Sequence, residues 1–265
     1  MTDLAESTTA PHPVLSREAW REARKALLAK EKEMTRRRDR LAAERRALPW
    51  VKIEKDYVFD TPTGKVTLAQ LFDGRSQLFI KHFMMGPGQI GQCVGCSFEV
   101  DHVEGALVHL ENHDVTYAAV ARAPIEEIEA VRKRMGWNFT WVSSYGSDFN
   151  YDFNVSFTPE QIAAGRAYYN YRYVDPGLED LSGDSVFFKD ADGQIFHTYS
   201  AFGRGAEELC GAYNYLDLTP KGRNENGPYR SLGDWVRPKN RYGQGGMVEA
   251  NGRYHAPSCG CAVHE

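Results

Sequence analysis

Residues 78–100 read LFIKHFMMGPGQIGQCVGCSFEV, and the order of features within them decides the fold. A β-rich apolar run at 78–85 gives way to a Gly/Pro loop at 86–91. The loop delivers Cys93 to the start of a segment in which Val100, Val103, Leu107 and Leu110 keep helical spacing. Strand, short loop, C-x-x-C and helix in that order put Cys93 at a helix N-terminus, where unsatisfied backbone N–H groups point at its sulfur. A thiolate is stabilised there, and the thiolate is the species that attacks a disulfide. Cys93 is expected to attack, and Cys96, one turn deeper in the helix, to resolve. The alternative for such a pair is zinc ligation completed by residues elsewhere.

Outward from this stretch the chain alternates. Upstream, β-rich runs at 51–59 and 66–68 flank a turn at 61–64. Downstream, 115–121 reads as a strand, Pro124 opens an acidic helix through about Met135, and 140–145 reads as another strand. The succession β, α, β, α, β argues for an α/β sheet with parallel central strands. Residues 186–189 and 194–199 flank Asp190-Ala-Asp-Gly193, a hairpin signal, and a helix is expected at about 205–216. Between these parts, nine aromatic residues crowd into 145–174 without a clean period. An insertion packed over the sheet or a subunit contact explains them better than an aromatic substrate wall.

The chain has 265 residues, 42% hydrophobic and 26% charged, with a formal charge of −4, which excludes collagen, disorder and a membrane bundle. The first thirteen residues lack the basic and apolar regions of a secretory signal, so a cytoplasmic protein is expected, with 1–13 a disordered leader. Residues 14–49 form a long basic helix, capped by Ser16 and stopped by Pro49. Trp20, Leu27, Met34, Leu41 and Leu48 recur every seven positions along it. Residues 17–46 hold twelve Lys/Arg and six Asp/Glu, so this helix is +6 on a −10 body. Arg36, Arg37, Arg38 and Arg40 suit a nucleic-acid arm, but no aromatic residues are interleaved for base stacking. A solvated helix with charge pairs one turn apart, docked on its own acidic body or on a second subunit, is the reading we favour. The narrow apolar stripe and the aromatic insertion together point to a homo-oligomer.

Several long segments carry a resemblance: Ala43-Glu-Arg-Arg-Ala-Leu-Pro-Trp50, Lys55-Asp-Tyr-Val-Phe59, Leu71-Phe-Asp-Gly-Arg75, Gly91-Gln-Cys-Val-Gly-Cys-Ser97, and His197-Thr-Tyr-Ser200 through Gly211-Ala-Tyr-Asn-Tyr-Leu-Asp-Leu-Thr-Pro-Lys-Gly222. Over about residues 14–225 the chain resembles a bacterial thioredoxin-like family of unknown function, catalogued as predicted dithiol/disulfide oxidoreductases. The resemblance implies an α/β fold with a thioredoxin-like central sheet flanked by helices. That domain would cover 50–225, with the aromatic insertion at about 145–180 and an irregular Cys/His-containing tail at 226–265. It brings no established substrate. Residues 181–185, Leu-Ser-Gly-Asp-Ser, lack the proline that thioredoxins place before the strand facing the dithiol, so substrate docking is expected to differ.

Five cysteines are too few for a disulfide framework, and an odd number leaves one thiol unpaired. Besides the C-x-x-C there is a C-x-C in the tail, which reads His255-Ala-Pro-Ser-Cys-Gly-Cys-Ala-Val-His264. Cys259, Cys261 and His264, with His255 as an additional donor, form a soft ligand set suited to copper or zinc, able to close a site with Cys93 and Cys96 if the tail folds back. The pair is alternatively an exchange relay for Cys93, or a mobile end. Cys210 reads as a small buried side chain. His82 and His197 are either packed strand histidines or groups that tune a thiolate or bind metal. The leading expectation is a dithiol/disulfide oxidoreductase acting on a small-molecule or protein thiol and needing no cofactor. The alternatives are a copper- or zinc-binding protein or copper enzyme on the same scaffold, and a thiol peroxidase attacking through Cys96.

Overall fold

The computed structural model describes residues 12–89 and 91–257. Its first element is the long helix α1 (Arg17–Arg46), which begins where the Ser16 hydroxyl accepts the Ala19 N–H at 3.2 Å. None of its residues is buried. Ion pairs such as Arg24–Glu31 and Arg37–Glu33 run along it, and near its end Arg45 reaches the body at Glu208 and over the Tyr199 ring. The solvated, charge-laced helix is therefore present, but it does not lie along its own body.

Next come β1 (Val51–Lys52), β2 (Val58–Thr61), β3 (Gly64–Thr67), α2 (Leu68–Leu71), β4 (Gln77–His82), β5 (Gln92–Cys93), α3 (Val94–Asp101) and α4 (Leu107–Asn112). They are followed by β6 (Val115–Ala121), α5 (Ile125–Met135), β7 (Thr140–Ser143), α6 (Phe149–Asp152), α7 (Pro159–Ala163), β8 (Ala167–Tyr169) and β9 (Arg172–Val174). The last elements are β10 (Gly183–Lys189), β11 (Ile195–Phe202), α8 (Gly211–Leu216), β12 (Met247–Val248) and β13 (Arg253–His255).

Eight strands make one sheet in the order β1-β11-β10-β4-β6-β7-β2-β3. The central β4, β6 and β7 run parallel, while β10 lies antiparallel to β4 and β11 antiparallel to β10. A βαβ unit (β4, α3, β6) joined to a hairpin in the order β11-β10-β4-β6 is the thioredoxin-like arrangement. Side chains alternate along β4. Leu78 and Ile80 enter a core with Tyr57, Phe59, Phe72, Phe149 and Phe187. Phe79 and Phe83 face the opposite core, under α3 and α5.

Within residues 51–216 the details depart from the sequence expectation at four places. The run at 51–59 is two strands at opposite ends of the sheet, β1 on one edge against β11 and β2 between β7 and the other edge strand, β3. The polar residues Glu54, Lys55 and Asp56 separate them, and Lys55 is held by Asp148 and Asp152. The helix after Cys93 breaks at 102–106, although Val103, Leu107 and Leu110 still pack on one core. The segment at 205–216 is a 3₁₀ stretch, Gly203–Leu209, followed by α8. The aromatic segment divides: Phe149, Phe153 and Phe157 are buried, while Tyr171 and Tyr173 on the β8–β9 hairpin are exposed.

The tail after residue 226 is more than an irregular cover. β12, β13 and β5 form a second sheet, in which Arg253 lies opposite Cys93 and Tyr254 opposite Gln92. Val94 and Phe98 of α3 meet Cys210, Tyr213, Val236, Val248 and Tyr254 in a third core. Among the described residues, no helix is long and apolar enough to cross a membrane.

Candidate functional site

Cys93 ends β5 and caps α3. Its backbone is extended (φ −62°, ψ 116°), so its sulfur turns back over the first turn and accepts the Cys96 N–H at 3.3 Å. Cys96 lies within that turn, and its Sγ accepts the Met84 N–H at 3.4 Å from the chain just beyond β4. The Met84 thioether lies 3.8 Å from the Cys93 sulfur. Both cysteines are buried free thiols.

The two sulfurs are unlike. The Cys93 pKa is lowered to about 7, first by its hydrogen bond with the Cys96 thiol. Burial opposes the shift; the Cys96 and Gly95 backbone N–H groups and the Lys81 cation support it. Burial pushes the Cys96 thiol well up, and the hydrogen bond to Cys93 and the charge on Cys93 add to the rise. This asymmetry is the one an attacking and a resolving thiol need.

Beneath the dithiol lies a buried charge cluster. Lys81 on β4 bonds Glu99 of α3 and sits 3.5 Å from Asp184, its partner in the β4–β10 register. Burial opposes the Lys81 ammonium, but Asp184 and Glu99 outweigh it and raise its pKa. Burial pushes Glu99 up to about 8, with the Lys81 cation pulling against the rise and Asp184 adding to it. A charged residue inside the most apolar stretch of the chain was the available signal. Its partners follow only from the strand register and from the turn of α3 after Cys96.

The loop ahead of Cys93 is clamped from two sides. The Gln92 side chain donates to Ser97 Oγ at 2.6 Å, Ser97 donates to the Cys93 carbonyl at 2.7 Å, and Arg134 of α5 donates to Gln92 at 3.1 Å. From the tail, the Gly252 carbonyl accepts the Val94 N–H at 2.9 Å.

The remaining candidates fall elsewhere. His82 lies on the sheet face away from α3, stacked near Phe149 and Phe153, with Nε2 2.8 Å from Ser185 Oγ. Burial lowers its pKa to about 3, so it is neutral. A buried chain continues from Ser185 to Ser200 at 2.8 Å and from Ser200 to His197 at 2.7 Å. Both histidines are thus packed strand histidines remote from the dithiol. Cys210 is buried in the core over α3, and its pKa is raised by that burial. His255 pairs with Glu249 at 2.8 Å. Cys259, Cys261 and His264 lie outside the described residues. Among the described residues, no three His, Cys, Asp or Glu side chains form a group that could hold a metal.

Residues 9–242 match a family described as "Bacterial protein of unknown function (DUF899)". Among curated proteins no sequence matches the chain. The solved structures to which it is similar include the peroxidoxin BcpB of Mycobacterium tuberculosis, at 11% identity and a TM-score of 0.39 over 63% of this chain and 96% of that one. Peroxiredoxin Q of Xanthomonas campestris is similar at 14% identity and a TM-score of 0.40, over 67% of this chain and 94% of that one. A candidate thiol:disulfide interchange protein DsbE of Chlorobium tepidum is similar at 12% identity and a TM-score of 0.39, over 66% and 99%.

Proposed function

The chain belongs to the bacterial DUF899 family, and we propose that it is a dithiol/disulfide oxidoreductase in which Cys93 attacks and Cys96 resolves. The observation that carries this reading is the Cys93 sulfur capping α3, acidified to about 7, with a less acidic thiol bonded to it in the same turn. In the forward sense the Cys93 thiolate attacks one sulfur of a substrate disulfide, whose S–S bond breaks, and the first thiolate leaves with the electron pair. Cys96 then gives up its proton and attacks the Cys93 sulfur. The second substrate thiol leaves, and the Cys93–Cys96 disulfide remains. Two electrons pass from the protein to the substrate, and Lys81 favours the thiolate form of both cysteines throughout.

A peroxidase attacking through Cys96 fits less well, because burial holds that thiol in its protonated form. The copper or zinc reading rests on Cys259, Cys261 and His264, outside the described residues. Self-association belongs to the same proposal: α1 leaves Trp20, Leu27, Met34 and Leu41 exposed, each by 43% or more, on a surface whose charge is opposite to that of the body.

The test is redox titration of the full chain against a dithiothreitol couple, counting alkylated thiols by mass. One two-electron transition that protects Cys93 and Cys96 together, and that disappears in Cys93→Ser and in Cys96→Ser, is expected. Both thiols remaining alkylatable throughout would remove the proposal.

A further inference from the structure

Beside the dithiol loop lies a cleft of about 600 Å³, a volume suited to a small molecule. Gln92 of β5 forms part of its wall, with Arg134 of α5 and Arg241, Glu249, Arg253 and His255 of the tail. Three guanidinium groups meet one carboxylate there. The carboxylate is already engaged, by His255 at 2.8 Å and by the Asn251 amide at 2.7 Å. The arginines are not. Arg122, Arg132, Arg204 and Arg223 each pair with an acidic side chain. Among the described residues, none of Arg134, Arg241 and Arg253 has a carboxylate within ion-pair distance. Arg134 bonds the Gln92 amide oxygen and Arg241 the Gln244 amide oxygen, both neutral. Burial and the charge of Arg241 press on Arg134, lowering its pKa. Gathering three like charges around a single, already bonded carboxylate is unfavourable, and guanidinium forks are matched to carboxylate and phosphate oxygens.

Gln92, the residue before Cys93, joins the cleft to the dithiol loop. Arg134 holds Gln92, Gln92 holds Ser97, and Ser97 holds the Cys93 carbonyl; Arg253 lies opposite Cys93 in the β13–β5 register. We propose that this cleft is the anchoring subsite of the dithiol and takes the oxyanion groups, carboxylate or phosphate, of a low-molecular-weight disulfide. This rests on the oxidoreductase reading and names its substrate class. The reaction stays balanced as above: one disulfide enters, two thiols leave, and Cys93 and Cys96 are oxidised.

The full chain is assayed with glutathione disulfide (carboxylates), coenzyme A disulfide (phosphates) and 2-hydroxyethyl disulfide (neutral). The ratio of kcat/KM for one of the anionic disulfides to that for the neutral one is expected to fall at least about tenfold in Arg134→Gln/Arg253→Gln, which removes two of the three guanidinium groups. The same ratio is expected to fall in the unaltered chain as salt is raised. The anionic disulfide with the larger effect identifies the oxyanion. Ratios indifferent to both salt and substitution overturn the subsite. Binding of the two anionic disulfides to the Cys93→Ser/Cys96→Ser chain, measured by calorimetry, separates the two claims. Salt-sensitive binding without turnover in the unaltered chain keeps the cleft and removes the oxidoreductase; turnover without preference for the anions does the reverse.

Discussion

The sulfur of Cys93 is acidified by groups within one turn of helix and by a single cation beneath it, and the cation can be removed on its own. Replacing Lys81 with Met removes the cation. The pKa of Cys93, read from the pH dependence of iodoacetamide alkylation, is expected to rise from about 7 toward its ordinary value. Because Glu99 and Asp184 then lose their buried partner, unfolding in urea should show a loss of about 3 kcal/mol. Glu99 gives a second residue-level test. Its pKa is pushed from 4.5 up to about 8 in the folded chain. Between those values the folded chain holds a proton that the unfolded chain releases, so Glu99's stabilising contribution is full below about 4.5 and is lost as pH rises toward 8. The urea midpoint of the unaltered chain should therefore fall relative to Glu99→Gln between about pH 5 and pH 8. Parallel curves would contradict the buried cluster. The cysteine pair was legible in the sequence because helix-terminus chemistry depends on neighbours in the chain. The Lys81–Asp184 pair was not, because it exists only once β4 and β10 are in register.

At the scale of elements, the βαβ alternation and the hairpin at 190–193 follow from local periodicity and turn residues, and these assemble the central sheet around α3. The tail escaped the same reading because its apolar residues are too sparse for a period. Val236, Val248 and Tyr254 acquire meaning only by meeting Val94 and Phe98. This makes the tail a structural cover of the dithiol helix. Tyr254 is buried, and its hydroxyl donates to the Gly245 carbonyl at 3.0 Å. Tyr254→Ala should cost about 3 kcal/mol, speed alkylation of Cys93, and speed hydrogen exchange at the Val94 amide. Unchanged protection at Val94 would mean that the tail does not hold the loop. In α1 the seven-residue spacing was readable, but its lack of buried contacts was not. Leu27→Glu/Leu41→Glu should lower the sedimentation coefficient of the protein if the stripe joins two copies; an unchanged coefficient would remove self-association through α1.

For the whole molecule, the modest charge of −4 conceals a +6 helix, a −10 remainder and, within that remainder, an uncompensated group of three arginines beside the dithiol. Composition excluded classes of protein, whereas the distribution of charge marks where the proposed contacts lie. The proposed attraction between α1 of one copy and the body of another would act between exposed groups and should weaken as salt rises, since the screening length is about 8 Å at physiological ionic strength. The buried Lys81 cluster should be nearly indifferent to salt, so the Cys93 pKa should hold while the proposed self-association declines. The most direct test of the central claim is to trap the covalent intermediate. Cys96→Ser, reduced and then exposed to a small disulfide, is expected to accumulate one mixed disulfide, located at Cys93 by peptide mass, with none formed by Cys93→Ser. An adduct located instead at Cys96 in the Cys93→Ser protein, or no adduct in either variant, would contradict Cys93 as the nucleophile.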